Sequence, residues 1–526
     1  MLSLKAILFL LSTCKYFSQA RVKHIGTMKV VLTFGPSSLA RQLQSSNNSL
    51  VPFIKIASLD LTNWVNAILS HISDLKRFRF HGYRQRKDLV PVWETLFFWF
   101  LPSHNPHLYS FCGMKRLDMH SIPKLVPWDV LVNLEVLTCD MVAFTPDCCP
   151  PKLRDLELIV CGDDFAELTC CKTLEALSVD FVVHSFAQSS QDTHSTSPAS
   201  GNPFPFLSEL DVLNWKTTNW SILRSITSIQ WLTLSSDLDV AWETDVSSLA
   251  PLDNLQKLSL TVSKLHNIDF LQNHLKLSYL CLNLDNLSDL TPLSLLSQLE
   301  TLNLAQCSSS DYDALRDLIN LKVLDIRQSP DLTCLKFLST MTQLKVLYLS
   351  ETHVTNLSPL LYCSDITCLE VSFCPISDIS VLANLTSLKS LCLGRTKVED
   401  ISPIAKLKRL ESLSLTNIRS PDLSALSELC TQLTNLTLSH CSMTNQNGQA
   451  LSVFSRLQTL DLDYNADVSD LSFLSSHQHL KVLSISHTGV VDIASLVNIS
   501  TLRLLYCWGT RVVTPNLLRG VHVHTD

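Results

Sequence analysis

Apolar residues recur along most of the chain in the pattern L-x-x-L-x-L, with mostly polar residues between them. Alternation over the Leu-x-Leu end of this pattern predicts a short β-strand with one buried face. The spacing between the clearest copies is 22 to 24 residues, so twelve similar units follow one another. These copies begin at Leu255, Leu277, Leu299, Leu321, Leu344, Ile366, Leu388, Leu410, Leu433, Leu457, Leu480 and Leu502.

A repeat of this length predicts an α/β fold of the leucine-rich repeat solenoid type. We expect a curved horseshoe with a parallel sheet on its concave face and short turns or 3-10 segments on its convex face. Positions within a unit are numbered from its first leucine, so that positions 1, 4 and 6 point into the core. No unit can bury its core alone, and stability should be close to a sum of unit and interface contributions.

The second half of each unit also has a consistent pattern. Val398, Ile401 and Ile404 are spaced to face the same core from the convex side. Ser402-Pro403 is interpreted as the cap and first position of a short helical turn, and Ser358-Pro359 as another. Position 9 is usually small and is predicted to turn inward and bond to the backbone of the bend, which assigns Thr396 a structural role.

Upstream, the strand motif persists at looser spacing and predicts irregular units. Its copies begin at Ile56, Leu75, Met114, Leu134, Leu153, Leu174, Leu207 and Ile229. The polar stretch from Phe186 to Phe206 is too rich in Ser, Thr and Pro to fill a core and is predicted to be a loop. The predicted organisation is a signal or poorly packed segment at 1–27, irregular repeats at 28–185, the loop at 186–206, regular repeats at 207–512, and a cap and tail at 513–526.

Composition narrows the choice of partners and compartments. The chain has 526 residues, 46% of them hydrophobic, and a formal net charge of −7, which does not favour nucleic acid as a partner. Most of the 18 cysteines are interpreted as buried apolar residues in a reducing compartment. The adjacent pairs Cys148-Cys149 and Cys170-Cys171 are poorly spaced for bridging or chelation by one loop. An intracellular location is favoured, in cytoplasm or nucleus, with secretion through a weak N-terminal signal as the alternative.

The sequence contains no motif for catalysis, phosphate binding or metal binding, and no apolar run long enough to span a membrane. We expect a protein that is not an enzyme and needs no cofactor. His522 and His524 are interpreted as solvated residues on a fraying end. The basic segment Lys76–Lys87 could hold nucleic acid, but Phe78 and Phe80 fall on inward positions, so a solvated strand and loop is favoured.

The outward positions carry the candidate binding residues. Aromatic and arginine side chains dominate interface energies once they are desolvated. On the expected concave face we select Tyr348, Phe373, Arg395, His440, Tyr464, His487, Tyr506 and Trp508. Tyr464, His487, Tyr506 and Trp508 are expected to form one edge of a face that binds a protein partner, although Tyr506 and Trp508 could instead shield the last unit. Asp325 and Arg327 are also assigned to this outward surface.

Two segments resemble known families. The units "LKVLYLSETHVTNLSPL" and "LKSLCLGRTKVEDISPI" resemble the short-turn repeats of internalins. The C-terminal "LRLLYCWGTRVVTPNLLRGVHV" resembles the end of trypanosomatid leucine-rich repeat proteins, including the expression-site-associated, adenylate cyclase regulatory type. The resemblance implies protein–protein interaction, with regulation of adenylate cyclase as a more specific extension. We expect a monomeric, non-catalytic scaffold that binds a protein partner, with a regulatory subunit of an enzyme such as adenylate cyclase as the alternative.

Overall fold

The computed structural model describes twelve segments of the chain. These are residues 31–33, 77–81, 116–119, 132–139, 149–158, 168–180, 202–214, 221–235, 248–262, 267–284, 287–512 and 518–525. The chain divides into two compact units, residues 1–238 and 239–526. The predicted segment 1–27, the motif at Ile56 and the side chains of Lys76–Lys87 lie outside the described residues, and the predicted domain boundaries remain predictions.

The first compact unit is built from short parallel strands, each paired with the next in the chain. Leu156 lies opposite Leu177, so the motifs starting at Leu153 and Leu174 pair in the same register. The strands are β1 (Val31–Thr33), β2 (Arg77–His81), β3 (Arg116–Met119), β4 (Val136–Cys139), β5 (Asp155–Leu158), β6 (Ala176–Asp180), β7 (Glu209–Leu213) and β8 (Trp231–Ser235). One 3-10 segment, Ser221–Ser225, lies between the last two strands.

The second compact unit contains the regular repeats. Every strand again pairs in parallel with the next, and Leu391 lies opposite Leu413, one repeat further along. Its strands are β9 (Lys257–Val262), β10 (Tyr279–Leu284), β11 (Thr301–Asn303), β12 (Val323–Asp325), β13 (Val346–Tyr348), β14 (Cys368–Glu370), β15 (Ser390–Cys392), β16 (Ser412–Ser414), β17 (Asn435–Thr437), β18 (Thr459–Asp461), β19 (Val482–Ser484), β20 (Leu504–Tyr506) and β21 (His522–His524). The repeated register confirms the predicted leucine-rich repeat solenoid.

Short 3-10 segments, rather than long helices, return the chain from one strand to the next. They are Asp269–Asn273, Thr291–Leu295, Asp313–Asp317, Lys336–Thr340, Ser358–Tyr362, Ser380–Asn384, Ser402–Lys406, Leu423–Leu429, Ala450–Val453, Ser472–Leu474 and Ala494–Leu496. A short α-helix, Asn445–Gln449, begins with a capping box between Thr444 and Asn447. The predicted short turns are therefore confirmed.

The core follows the predicted inward positions. Leu388, Leu391 and Leu393 are at most 1% exposed, as are their counterparts in neighbouring units. In most regular units another core position lies three residues before the first leucine, where Leu385, Leu407 and Phe454 are buried. Phe204 occupies the same position before Leu207 and is fully buried. The end of the predicted polar loop therefore contributes to the core, because the packing position depends on repeat register and not on average composition.

The predicted serine caps are wrong in detail. The 3-10 segment already includes Ser402, and its backbone N–H donates to the Oδ1 atom of Asp400 at 2.8 Å. Ser358 likewise donates to Asn356, at 2.9 Å. A carboxylate or amide two residues earlier accepts the bond because its short side chain reaches forward to the backbone N–H two residues on. This hydrogen bond lowers the pKa of Asp400.

Position 9 has its predicted structural role. The Thr396 hydroxyl donates to the Leu393 carbonyl at 2.8 Å, and Thr488 donates to Ile485 in the same way. Asn465 does more, since its buried side chain accepts from the backbone N–H groups of Cys441 and Met443. Its amide nitrogen donates to the carbonyls of Leu438 and Leu462. Polar residues at this position thus satisfy buried backbone groups.

The C-terminal histidines do not belong to a fraying end. His522 and His524 form the ends of β21, which pairs in parallel with β20. Backbone hydrogen bonding to the preceding strand holds this segment in place, and the side chains of both histidines stay exposed. In the described part of the chain, no helix has the length and apolarity that crossing a membrane requires.

The interpretation of the cysteines needs one correction. Cys307, Cys363, Cys374 and Cys441 are buried and form no disulfide, as expected. Cys149 and Cys171, however, are joined as a disulfide between neighbouring repeats. The sequence analysis considered disulfides within a single loop, for which adjacent cysteines are poorly spaced. Cys149 and Cys171 instead lie 22 positions apart in sequence, which is one repeat, so they come from neighbouring units.

Candidate binding surface

The outward side of the second compact unit is formed by positions 3, 5, 7 and 8 of each repeat, and we call it the sheet face. At position 8 the chain leaves the strand through a left-handed backbone conformation, with φ between 56° and 66°. Nine consecutive units have a residue other than glycine there: Gln306, Gln328, Glu351, Phe373, Arg395, Asn417, His440, Tyr464 and His487. Gly509 occupies the position in the next unit with φ 62°.

Backbone hydrogen bonds explain why so many residues accept this conformation. The N–H group of each position-8 residue donates to the position-7 carbonyl of the following unit, as in Phe373 to Gly394 at 2.8 Å. Tyr464 donates to Ser486 at 2.9 Å and His487 to Trp508 at 2.7 Å. A left-handed residue costs about 1–2 kcal/mol when it has a β-carbon, and these repeated bonds offset that cost. The turn therefore extends the ladder beyond the strand.

Because one conformation recurs in consecutive units, position-8 side chains lie side by side along the edge of the sheet face. His440 stacks on Tyr464 with ring centroids 4.1 Å apart and an interplanar angle of 9°. Tyr464 stacks in turn on His487, at 4.4 Å and 18°. We call these three residues the ring stack. A β-carbon at Gly509 would collide with the His487 ring, so the absence of a side chain at Gly509 leaves space for this ring at the end of the stack.

A second aromatic group lies on the last strands. Tyr506 stacks on His524 with ring centroids 5.0 Å apart. Trp508 meets Tyr506 edge to face at 5.9 Å and is 49% exposed. β21 pairs with the edge of β20 through its backbone. Both interpretations of Tyr506 and Trp508, partner binding and shielding of the last unit, stay predictions.

The remaining candidates lie in two cation–π pairs. The Arg395 guanidinium is 5.0 Å from the ring centre of Phe373, which is 51% exposed. The Arg327 guanidinium is 5.0 Å from the ring of Tyr348. Such pairs hold long side chains in fixed positions.

Asp325 is not available on the surface as predicted, being only 6% exposed. Arg327 covers it, donating from Nε at 3.0 Å and from Nη2 at 2.7 Å. This bidentate contact raises the pKa of Arg327. The repeat pattern assigned Asp325 to solvent. In the structure its carboxylate is buried beneath Arg327, because the guanidinium satisfies it with two hydrogen bonds.

Two carboxylates, Asp461 and Asp463, belong to the same repeat unit as Tyr464 of the ring stack. Asp463 accepts hydrogen bonds from the Ser484 hydroxyl at 2.7 Å and the Ser486 backbone at 2.6 Å. Burial raises the pKa of Asp463, the Ser484 hydrogen bond opposes this shift, and the nearby Asp461 charge adds to it. Among the described residues, neither aspartate has a salt-bridge partner. The sheet face near the stack is therefore aromatic and acidic.

The structure groups the predicted residues differently from the sequence analysis. His440, which was not among the four residues expected to form one edge of the face, belongs directly to the ring stack. Tyr506 and Trp508 form a separate group that includes His524, whose side chain is exposed as predicted but was not assigned to the binding face. Asp463 was also missed. The signal was present in the sequence, since residues at the same position of consecutive units must become neighbours in a parallel solenoid.

Comparisons with known proteins support the fold. No protein-family model and no curated protein matches the chain. A leucine-rich repeat protein of Leptospira interrogans is 19% identical, with a TM-score of 0.57 over 71% of this chain and 96% of that one. An internalin of Listeria monocytogenes is 24% identical over 60% of this chain and 85% of that one, with a TM-score of 0.47. The complex of TLR13 with a single-stranded RNA is 16% identical over 86% and 82%, with a TM-score of 0.49. The Leptospira protein shares the leucine-rich repeat solenoid fold with this chain.

Proposed function

We propose that this protein is a non-catalytic scaffold that binds a protein partner through the sheet face of its regular repeats. The observation that carries the proposal is the ring stack of His440, Tyr464 and His487. Its rings are exposed, yet their backbone positions are fixed by the position-8 ladder. Ordered aromatic side chains lose little conformational entropy on binding, so they are suited to be energetic anchors.

The surroundings favour a protein over a nucleic acid. Exposed rings could stack on bases, but Asp461 and Asp463 beside the stack would repel phosphate groups. A partner that presents apolar or aromatic side chains with cationic or hydrogen-bond donor groups complements this surface. Phe373 with Arg395 and Tyr348 with Arg327 extend it along the same face, and Tyr506 with Trp508 extends it towards the last strand.

The finer proposal is regulatory. A scaffold of this kind could change the activity of an enzyme such as adenylate cyclase by holding it on the sheet face. Support for it comes from the C-terminal sequence resemblance. If the captured partner is an enzyme, its turnover should change when the wild-type chain is added and should not change with a variant that lacks the ring stack.

The test is capture of partners by the full chain. We replace Tyr464 and His487 by Asn, because Asn417 already occupies position 8 and asparagine tolerates the left-handed backbone. The matched control is Tyr362→Asn, which removes an aromatic residue that is 58% exposed on a 3-10 segment.

We expect a partner that the wild type and the control retain and that the Tyr464→Asn/His487→Asn variant loses, with all three chains equally folded by circular dichroism. If the double variant retains every partner, the ring stack is not the binding site. Loss from the control alone would move the interface to the 3-10 side of the repeats.

A further inference from the structure

Three cysteine side chains meet in the first compact unit. The Sγ atoms of Cys149, Cys170 and Cys171 all lie within 4.8 Å of one another. Cys149 and Cys171 are joined as a disulfide, with Cα atoms 6.0 Å apart. The Sγ atom of Cys170 is 3.9 Å from that of Cys171. The disulfide uses two of these sulfurs, and the third lies close enough to both to act with them as a ligand.

The repeat brings the sulfurs together on a defined backbone. Cys171 lies three residues before Leu174, at the core position that Pro150 occupies before Leu153. The Cys171 N–H donates to the Leu168 carbonyl at 2.9 Å, and the Leu153 N–H donates to the Pro150 carbonyl at 3.2 Å. Cys171 is buried, whereas Cys149 and Cys170 are half-buried. An ion could therefore reach the cluster from solvent without the core having to open.

The donor set defines the ligand. In the described part of the chain, neither a carboxylate nor an imidazole shares the 4.8 Å cluster, so its donors are sulfur alone. Thiolates select soft cations, and a metal–sulfur bond of about 2.3 Å in tetrahedral geometry separates two sulfurs by about 3.8 Å. The 3.9 Å between Cys170 and Cys171 matches this separation.

We propose that Cys149, Cys170 and Cys171, in their reduced form, are a three-thiolate site for a soft d10 cation, Zn²⁺ or Cu⁺. The ion would link two neighbouring repeats at the position that the disulfide otherwise bridges. Metal binding and the disulfide exclude each other, because the disulfide takes two of the three ligands. The site lies in the first compact unit, whereas the sheet face belongs to the second.

The test uses the full chain, reduced with a trialkylphosphine, freed of the reductant and kept anaerobic. One arm titrates Co²⁺ as a spectroscopic probe and displaces it with Zn²⁺, and the other titrates Cu⁺ against a bicinchoninate competitor. We expect one equivalent of tightly bound metal in one of the two arms. The untreated disulfide form should not bind this equivalent.

Variants assign the bound metal to the cluster. Cys149→Ser and Cys170→Ser change half-buried residues, and each should weaken the one-to-one complex by more than the roughly 100-fold that loss of an outer-shell partner causes. Cys334→Ser is the control, since Cys334 is an exposed free cysteine elsewhere in the chain and its loss should change nothing. If the reduced wild type binds neither ion, or if the site variants bind like the control, the proposal fails and the cluster is only a disulfide with a neighbouring thiol.

Discussion

Single residues in this solenoid are tuned by the position they occupy within the repeat. His477 lies three residues before Leu480, at a core position where most units have an apolar side chain, and it is fully buried. Its Nε2 atom lies 3.2 Å from the Leu451 carbonyl, while Nδ1 has no partner within the described structure. Burial lowers the pKa of His477, so the neutral ring is the form that the fold accepts.

The expected consequence is a stability that depends on pH. A histidine with a lowered pKa in the folded state binds protons more readily when unfolded, so the free energy of unfolding should fall as pH drops below about 6.5. His477→Leu, which matches Leu407 at the same position, should weaken this dependence. The free energy of unfolding of the variant, compared with that of the wild type, should therefore be higher at pH 5 than at pH 8. Urea denaturation of both proteins at the two pH values measures this difference. The exposed His479→Gln variant is the control, and an equal effect in both variants would contradict the assignment.

At the scale of elements, the left-handed turn at position 8 is the feature that organises the sheet face. The residues found there include Glu, Phe, Arg and Tyr, none of which favours this conformation by itself. Their local preference is overridden because each turn continues the backbone ladder to the next unit. Side chains that the sequence spaces 22 to 24 residues apart are thereby held in contact.

Substitution by glycine at such a turn should affect the free energy of unfolding differently from substitution by glycine elsewhere in the chain. Glu351 has φ 61° and an exposed side chain, so Glu351→Gly relieves backbone strain with little loss of packing. We expect the free energy of unfolding to stay the same or rise by up to about 1 kcal/mol. Glu399→Gly, at an exposed position without a positive φ, should lower it by about 0.5–1 kcal/mol. Chemical denaturation measures the free energy of unfolding of both variants. An equal loss of stability in the two would contradict the inference that the backbone at Glu351 is strained.

At the scale of the whole molecule, stability is distributed along the repeats. Each strand of residues 239–526 pairs only with its neighbours in the ladder, and each core position packs between adjacent units. A local defect should therefore loosen nearby units more than distant ones, unlike the all-or-none response of a small domain.

Leu413→Ala tests this behaviour. Leu413 is 1% exposed at position 4 of its unit, and removing its side chain should cost about 2–5 kcal/mol. Hydrogen exchange should quicken first in β15, β16 and β17, while β10 and β20 keep their protection. The control is Ser412→Ala on the outward side of the same strand. A uniform loss of protection over all strands would show that the repeats unfold as one body.

The period of the leucines determined by itself the fold class, the strand register and the inward positions, because a side-chain repeat of this regularity can bury its apolar residues in only one stacking. It also placed Tyr464 and His487 on an outward edge. Only the tertiary structure decided that His440 stacks on Tyr464, that Arg327 covers Asp325 and that Cys149 reaches Cys171. These contacts depend on the backbone conformation at the turn and on residues one repeat away. The sequence of a single unit contains neither kind of information.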